Sequence, residues 1–174
     1  TIVDVWNDWP RHVALPLPDE LRERIAGRRI EAIDRRGKYL VFSLSGDETL
    51  IIHLKMSGHL SIMPSGAPPD PYAHTVFALD DGRELRFRDP RKFGRVYLVR
   101  DPAQIVGPLG PEPLEEDFTV EQLAARLAGR RRVLKPLLLD QAFIAGIGNI
   151  YADEALFDAW LLPTRRSDTL TAEE

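Results

Sequence analysis

The chain has 174 residues, of which 44% are hydrophobic and 29% are charged, a composition that indicates a folded globular protein rather than a disordered one. No apolar run approaches the roughly 20 residues of a membrane-spanning helix, and the net charge of −4 argues against indiscriminate binding to nucleic acid. The sequence contains no cysteine, which excludes disulfides and thiolate zinc ligands among these residues. Together with the lack of a signal-peptide pattern, this favours a cytoplasmic protein.

The first hundred residues predict a β-rich domain. Short runs of β-branched and aromatic residues alternate with turn signals such as Ser45-Gly46-Asp47 and Asp80-Asp81-Gly82. The predicted strands cover residues 2–6, 29–34, 39–44, 50–54, 59–63, 75–79, 84–87 and 95–99. A short helix is predicted at 18–26, with acidic residues early and basic residues late. Many short strands separated by turns predict a β-sandwich or barrel over residues 1–100.

The rest of the chain predicts a linker and then helices. Residues 101–118 contain four prolines and a block of acidic residues, so we expect a linker there. The pattern becomes helical at residue 119, where Thr119 is a suitable N-cap and Glu121 lies in the first turn. Further helices are predicted at 134–144 and 150–161. The fold class is therefore α+β, with an N-terminal β-sandwich followed by a helical domain over 119–174.

Charge is distributed unevenly along the chain. Residues 28–95 hold 12 Lys and Arg against 9 Asp and Glu, a local balance of +3, whereas residues 101–125 hold 6 acidic residues and no basic one, a balance of −6. Local fields steer ligands more than total charge does. A basic face for an anionic partner is therefore compatible with the overall negative charge.

A glycine turn between two predicted helices is the most specific local feature. Gly146 and Gly148 precede Asn149, which opens the second helix, and the cationic run Arg130–Arg132 lies upstream. A helix N-terminus presents unpaired N–H groups and a partial positive charge, which suit a phosphate. This arrangement predicts a clamp on a nucleic-acid backbone.

Five motifs, in this order and spacing, closely resemble the formamidopyrimidine-DNA glycosylase / endonuclease VIII family of base-excision repair enzymes. They are RRGKYL at 35–40, IIHLKMSGHL at 51–60, RFRDPRKFGR at 86–95, LGPEPL at 109–114 and GIGNIYADEALF at 146–157. The resemblance covers essentially the whole chain. It implies a two-layer β-sandwich followed by a helical domain with a helix–two-turn–helix element, in agreement with the patterns above.

The resemblance also implies a reaction. In this family an N-terminal proline, followed by a glutamate, attacks C1′ of a damaged nucleotide, and the resulting Schiff base allows elimination of the strand phosphates. The chain has Thr1 and Ile2 instead, and it has no cysteine for the family's zinc finger. We therefore expect a fragment of a longer enzyme, truncated at both ends, that lacks glycosylase activity by itself and holds no cofactor.

Several residues match positions with known roles in the family. Lys38 follows a glycine turn at the start of a strand, where an ammonium can reach a phosphate, and the resemblance implies that it assists the elimination. Met56, Arg91 and Phe93 match the set that intercalates beside a flipped base. Because Phe93 lies between Lys92 and Gly94, a buried ring is not expected there.

The resemblance further implies contacts with the DNA backbone. Asn149 matches the phosphate-binding asparagine of the helix–two-turn–helix element, and Arg130 aligns with a DNA-contacting lysine. Two family histidines align with Tyr72 and His74, and a tyrosine at the first position can still donate to a phosphate. Glu154 lies on the second helix, near the expected mouth of the active site.

The expected partner is damaged double-stranded DNA, bound by a monomer away from membranes. His53, His59 and His74 are too widely scattered in the sequence to predict a metal site.

Two alternatives remain open from the sequence. The chain can be a non-catalytic DNA-binding module or a degenerate homologue, which a coding sequence upstream of Thr1 without a Met-Pro-Glu start would support. It can also be a β-sandwich hydrolase that uses His53 or His74, but no nucleophile motif supports that reading. Metal dependence of any activity would test it.

Overall fold

The computed structural model describes residues 1–171 and 173–174 and divides them into two compact units, Thr1–Gly107 and Pro108–Glu174. The division lies inside the segment predicted to be a linker. A short helix, α2 (Ala103–Val106), comes just before it.

Within the fully described first unit, nine strands accompany two α-helices, α1 (Pro18–Ile25) and the short α2. The strands are β1 (Ile2–Asn7), β2 (Val13–Leu15), β3 (Ile30–Arg36), β4 (Tyr39–Leu44), β5 (Glu48–His53), β6 (His59–Pro64), β7 (Ala73–Leu79), β8 (Arg83–Arg88) and β9 (Arg95–Val99). Eight of these overlap predicted strands. The sequence did not predict β2 because a strand of three residues is too short to show an alternating pattern.

The strands form two sheets that share one core. The first sheet has the order β1-β7-β8-β6 and the second has the order β2-β9-β5-β4-β3. Phe77 and Phe87 from the first sheet enter the same buried cluster as Leu50 and Leu98 from the second. The two sheets therefore pack face to face, and the predicted β-sandwich is confirmed.

Strand register brings the ends of six strands together. In the second sheet, His53 at the end of β5 pairs with Tyr39 at the start of β4 and with Arg95 at the start of β9. In the first sheet, Arg88 at the end of β8 pairs with the first residues of β6 and β7. Two turns, 54–58 and 89–94, cross between the sheets at this end. We call the 54–58 and 89–94 turns the crossing turns.

The second unit is helical, as predicted. Its main helices are α3 (Val120–Leu127), α4 (Leu134–Leu139) and α5 (Asn149–Asp158). The Thr119 side chain accepts a hydrogen bond from the Gln122 N–H at 3.3 Å, which caps α3. Leu137, Phe143 and Ile144 form the buried cluster of this unit.

The prediction that α4 continues to residue 144 was wrong. The helix ends at Leu139 because the backbone of Asp140 is extended and its carboxylate accepts a hydrogen bond from the Ala142 N–H at 3.1 Å. An aspartate side chain that bonds nearby backbone in this way competes with helix continuation. Phe143 and Ile144 are nevertheless buried, so the apolar pattern reflected burial rather than helix.

Leu50→Ala tests whether the shared core stabilises the sandwich. Leu50 is fully buried, and we expect its truncation to lower the free energy of unfolding by about 2–5 kcal/mol. Ile33→Ala, in the same sheet but 60% exposed, is the matched control and should cost about 1 kcal/mol or less. Denaturant unfolding measures both. Equal losses would contradict a core centred on β5.

Candidate nucleic-acid interface

Two exposed apolar side chains project from the crossing turns. Met56 is 74% exposed and Phe93 is 46% exposed, so neither belongs to the core of the sandwich. The Arg91 guanidinium lies over the Phe93 ring, 4.9 Å from its centroid. The three side chains expected to intercalate therefore lie on two turns at one end of the sandwich.

A buried carboxylate holds the two crossing turns. The Ser57 hydroxyl donates to Oδ1 of Asp89 at 2.6 Å, and the Gly94 N–H donates to Oδ2 at 2.6 Å. Burial by itself raises the pKa of the Asp89 carboxyl, but the hydrogen bonds from Ser57 and Gly94, together with smaller contributions from His12 and the Arg91 backbone, hold the pKa below its usual value. Asp89 therefore carries its charge where it ties the turns together.

The glycines of the crossing turns pack against one aromatic ring. A Cβ atom on Gly94 or on Gly58 would collide with the Phe87 ring, and a Cβ atom on Gly58 would also collide with the Leu54 carbonyl. Only glycine allows the backbone of each turn to approach this closely. Phe87 is fully buried, so the turns rest on the core itself.

A cationic group lies at the same end of the sandwich. Lys38 follows Gly37 in the turn between β3 and β4, next to the Tyr39–His53 pair. The Lys55 N–H donates to Nδ1 of His53 at 2.9 Å. Lys38 and Lys55 therefore both lie near His53, close enough for their charges to affect its pKa.

The titration behaviour reflects this crowding. Burial, followed by the charges of Lys55 and Lys38, lowers the pKa of His53 to about 4, so the ring is neutral at pH 7. Burial and the charge of Lys55 also lower the pKa of Lys38. An anion beside the two lysines would relieve their repulsion, so the site suits a phosphate. Sequence reasoning considered His53 only as a metal or hydrolase residue.

The two positions that align with the family histidines, Tyr72 and His74, have different environments. Tyr72 is 44% exposed, and the Arg88 guanidinium lies 4.8 Å from its ring centroid. His74 is only 3% exposed, and its Nδ1 lies 2.8 Å from the Asp8 carboxylate. This burial and the pairing with Asp8 do not favour a direct contact of His74 with a phosphate, and its predicted DNA contact stays a prediction.

The five basic residues of the 86–95 motif, Arg86, Arg88, Arg91, Lys92 and Arg95, have different environments. Arg86 is buried and pairs with Glu84 at 2.8 Å, and Arg95 donates to backbone carbonyls of its own turn. These two arginines stabilise the fold rather than form a cationic surface. Arg91 and Lys92 are the members carried on a crossing turn.

In the second unit, one amide side chain shapes the glycine turn. Nε2 of Gln141 donates to the carbonyls of Leu139 and Ile147, both at 2.9 Å, and its Oε1 accepts from the Gly146 N–H at 3.0 Å. Gly146 has φ of 90°, a conformation that favours glycine. No motif in the sequence indicated this role of Gln141.

The turn leads directly into α5. Gly148 occupies the cap position, and Asn149 is the exposed first residue of the helix. The first N–H groups of a helix have no partners within it and can bind an anion. The Asn149 position is therefore compatible with the predicted phosphate contact, which stays a prediction.

The basic run upstream of α4 is mostly paired. Arg132 forms an ion pair with Asp140 at 2.7 Å. Arg130 is exposed, its Nε donates to the Arg126 carbonyl at 2.9 Å, and its guanidinium lies 5.1 Å from the Phe143 ring centroid. Glu154 is exposed on α5. The predicted roles of Arg130 and Glu154 remain predictions.

Over residues 1–171 and 173–174, no group of three or more histidines and acidic residues is placed to hold a metal ion. In the same ranges, no helix is both long and apolar enough to cross a membrane. The hydrolase alternative finds no support at the two histidines, because His74 is buried and Nδ1 of His53 already accepts from a backbone N–H.

A β-sandwich with exposed wedge side chains, together with a helical unit whose glycine turn opens a helix, defines the class of DNA glycosylases with a helix–two-turn–helix element. The formamidopyrimidine-DNA glycosylase N-terminal domain model matches residues 1–96, and the formamidopyrimidine-DNA glycosylase H2TH domain model matches residues 109–174. The chain belongs to the formamidopyrimidine-DNA glycosylase family.

Individual proteins agree with this assignment. A formamidopyrimidine-DNA glycosylase of Roseiflexus sp. (strain RS-1) is 52% identical over 169 residues, which cover 96% of this chain and 62% of the relative. A structure of MutM in complex with carbocyclic 8-oxo-G containing DNA has a TM-score of 0.90 at 33% identity and is matched over 99% of this chain and 66% of that one. A complex of Lactococcus lactis Fpg with abasic-site DNA has a TM-score of 0.88 at 34% identity, over 99% and 64%. The chain thus spans less than two thirds of the Roseiflexus protein.

Lys55→Ala tests the electrostatic coupling at the cationic group. Removing one neighbouring charge should raise the pKa of His53 above 4, by on the order of half a unit. NMR titration of the imidazole signals measures this change. His12 is the internal control, because burial and the neighbouring Asp89 rather than Lys55 set its pKa of about 4. An unchanged pKa of His53 would mean that the charge of Lys55 does not contribute to it.

Proposed function

We propose that the chain forms the DNA-binding body of a base-excision DNA glycosylase and AP lyase that acts on damaged duplex DNA. The observation that carries the proposal is the pair of exposed wedge side chains, Met56 and Phe93, on turns held by one buried carboxylate. A flipped nucleotide leaves a gap in the base stack, and apolar wedges of this kind fill such gaps.

Family membership supports the same substrate class. The solved relatives include one protein bound to 8-oxo-G containing DNA and another bound to abasic-site DNA. By analogy, we propose that damaged duplex DNA is also the substrate of this chain. We further propose that it acts as a monomer in the cytoplasm.

Each of the site residues in the first unit has a distinct role in the proposed complex. Met56 and Phe93 occupy the gap, while Arg91, stacked on Phe93, offers paired donors to the base left without a partner. Lys38, beside Lys55, contacts a phosphate of the damaged strand. Neutral His53 offers a ring N–H without adding a third positive charge, because its Nδ1 is already an acceptor.

In the second unit, we propose that Asn149 and the N–H groups of the first turn of α5 bind a backbone phosphate. Arg130, stacked near Phe143, adds a positive charge for the same backbone. Phosphate contacts of this kind set position and affinity but carry no sequence information. They therefore suit an enzyme that must search duplex DNA for damage.

A fluorescence-anisotropy titration tests the proposal. The 174-residue chain is titrated into duplex DNA with a stable abasic analogue and into matched undamaged duplex, each at two salt concentrations. We expect tighter binding to the abasic duplex, with affinity falling at higher salt because phosphate contacts release counterions. Arg91→Ala should reduce affinity for the abasic duplex by about 1–3 kcal/mol, roughly 5- to 150-fold, and affinity for undamaged duplex by less.

Arg83→Ala is the matched control. Arg83 lies at the opposite end of β8 from the crossing turns and pairs with Asp81, so its loss should leave the abasic preference unchanged. Equal losses of Arg91→Ala on both duplexes would make Arg91 a phosphate contact only. Failure of the unmodified chain to prefer the abasic duplex would overturn the proposed function for these residues.

A further inference from the structure

We propose that Asp89 is a positioning residue that couples the two crossing turns, so that Met56 and Phe93 act as one wedge. The inference rests on the proposed function for its role in lesion recognition. The coupling itself is a property of the unbound protein and can be tested without DNA.

The coupling follows from where the two carboxylate oxygens bond. Oδ1 accepts from Ser57, the residue directly after Met56, and Oδ2 accepts from Gly94, the residue directly after Phe93. Each oxygen therefore fixes the backbone next to one wedge residue. A shift of one turn changes the geometry available to the other.

The two crossing turns are built alike. Lys55, directly before Met56, has φ of 57°, and Lys92, directly before Phe93, has φ of 59°. A non-glycine residue in this left-handed region is strained and persists only where the surroundings enforce it. In both turns, a hydrogen bond to Asp89 and a glycine packed on Phe87 follow the exposed apolar residue. They are Ser57 and Gly58 in the first turn, whereas Gly94 has both roles in the second.

Asp89 is well suited to enforce these conformations. It is fully buried, and a buried carboxylate requires strong hydrogen bonds to remain charged. Hydrogen bonds to an ionised group are roughly twice as strong as neutral ones. His12 Nε2 is 3.8 Å from Oδ2, beyond hydrogen-bonding distance, so the bonds from the crossing turns satisfy the charge.

The Lys92 side chain adds a further restraint to the second turn. Its ammonium lies 4.5 Å from the centroid of the Trp9 ring, a cation–π contact. Residues 89–94 are therefore restrained by a backbone hydrogen bond to Asp89 and by the contact between the Lys92 side chain and Trp9. In the 54–58 turn, Ser57 is the link to Asp89, which makes Ser57→Ala the smallest change that uncouples the turns.

The first experiment uses the two methionines of the chain, labelled with ¹³C at the methyl group. Met56 reports on the 54–58 turn, and Met63 in β6, paired with Glu84, is an internal control. In Ser57→Ala and Asp89→Ala the Met56 signal should shift and narrow as the turn gains mobility, while Met63 stays in place. Asp89→Asn, which retains an acceptor and gains a donor, should restore most of the Met56 signal.

The second experiment measures the preference for abasic over undamaged duplex. Ser57→Ala should reduce that preference about 3- to 10-fold, equivalent to roughly 0.7–1.4 kcal/mol, with little change in binding to undamaged duplex. Ser61→Ala, a half-buried serine in β6, is the matched control and should change neither value. In the Ser57→Ala background, Met56→Ala and Phe93→Ala should become additive, whereas in the unmodified chain they should not.

The outcomes separate the two proposals. An unchanged Met56 signal in folded Ser57→Ala protein overturns the coupling, whatever the DNA results. A mobile Met56 in Ser57→Ala together with an unchanged abasic preference overturns the role of the coupling in recognition. A chain that lacks any abasic preference while Met56 responds as expected overturns the proposed function and leaves the coupling standing. If Asp89→Ala fails to fold, Ser57→Ala and Asp89→Asn still decide the question.

Discussion

A buried carboxylate shared between two turns is the constraint on which the end of the sandwich depends. Asp89 cannot be solvated, so its charge must be met by hydrogen-bond donors, and the structure supplies them from Ser57 and Gly94. That requirement fixes two irregular segments that no sheet hydrogen bonds would hold. Exposed apolar side chains can then stand at defined positions, where a wedge needs a rigid base.

The net charge of −4 conceals local differences in how the cations are arranged. Several arginines, such as Arg86 and Arg132, form ion pairs with carboxylates of the same unit. Lys38 and Lys55 both lie near His53, and their charges help to keep that histidine neutral at pH 7. In the proposed function, this local concentration of positive charge, rather than the net charge, favours a phosphate.

Sequence motifs indicate turns, but they do not indicate which side chains are buried or which residues meet in space. The motifs at 51–60 and 86–95 contain glycines and a proline, which are local turn signals, and Met56 and Phe93 do lie on turns. They could not show that His74 and Arg86 are buried, because burial depends on the sheet that covers each strand. They also could not show that Ser57 and Gly94 bond to one carboxylate, because those residues are distant in sequence and meet only across two sheets.

The amino-acid sequence by itself determined the β-sandwich, the helical unit and the glycine turn before α5. Five ordered motifs also indicated the protein family. Each of these depends on local periodicity, turn chemistry or spacing. Only the tertiary structure decided that α4 stops at Asp140, that Gln141 shapes the following turn, and that Lys38 and Lys55 both lie near His53. These features arise from hydrogen bonds and charge contacts set by side-chain geometry and strand register, which a linear pattern does not encode.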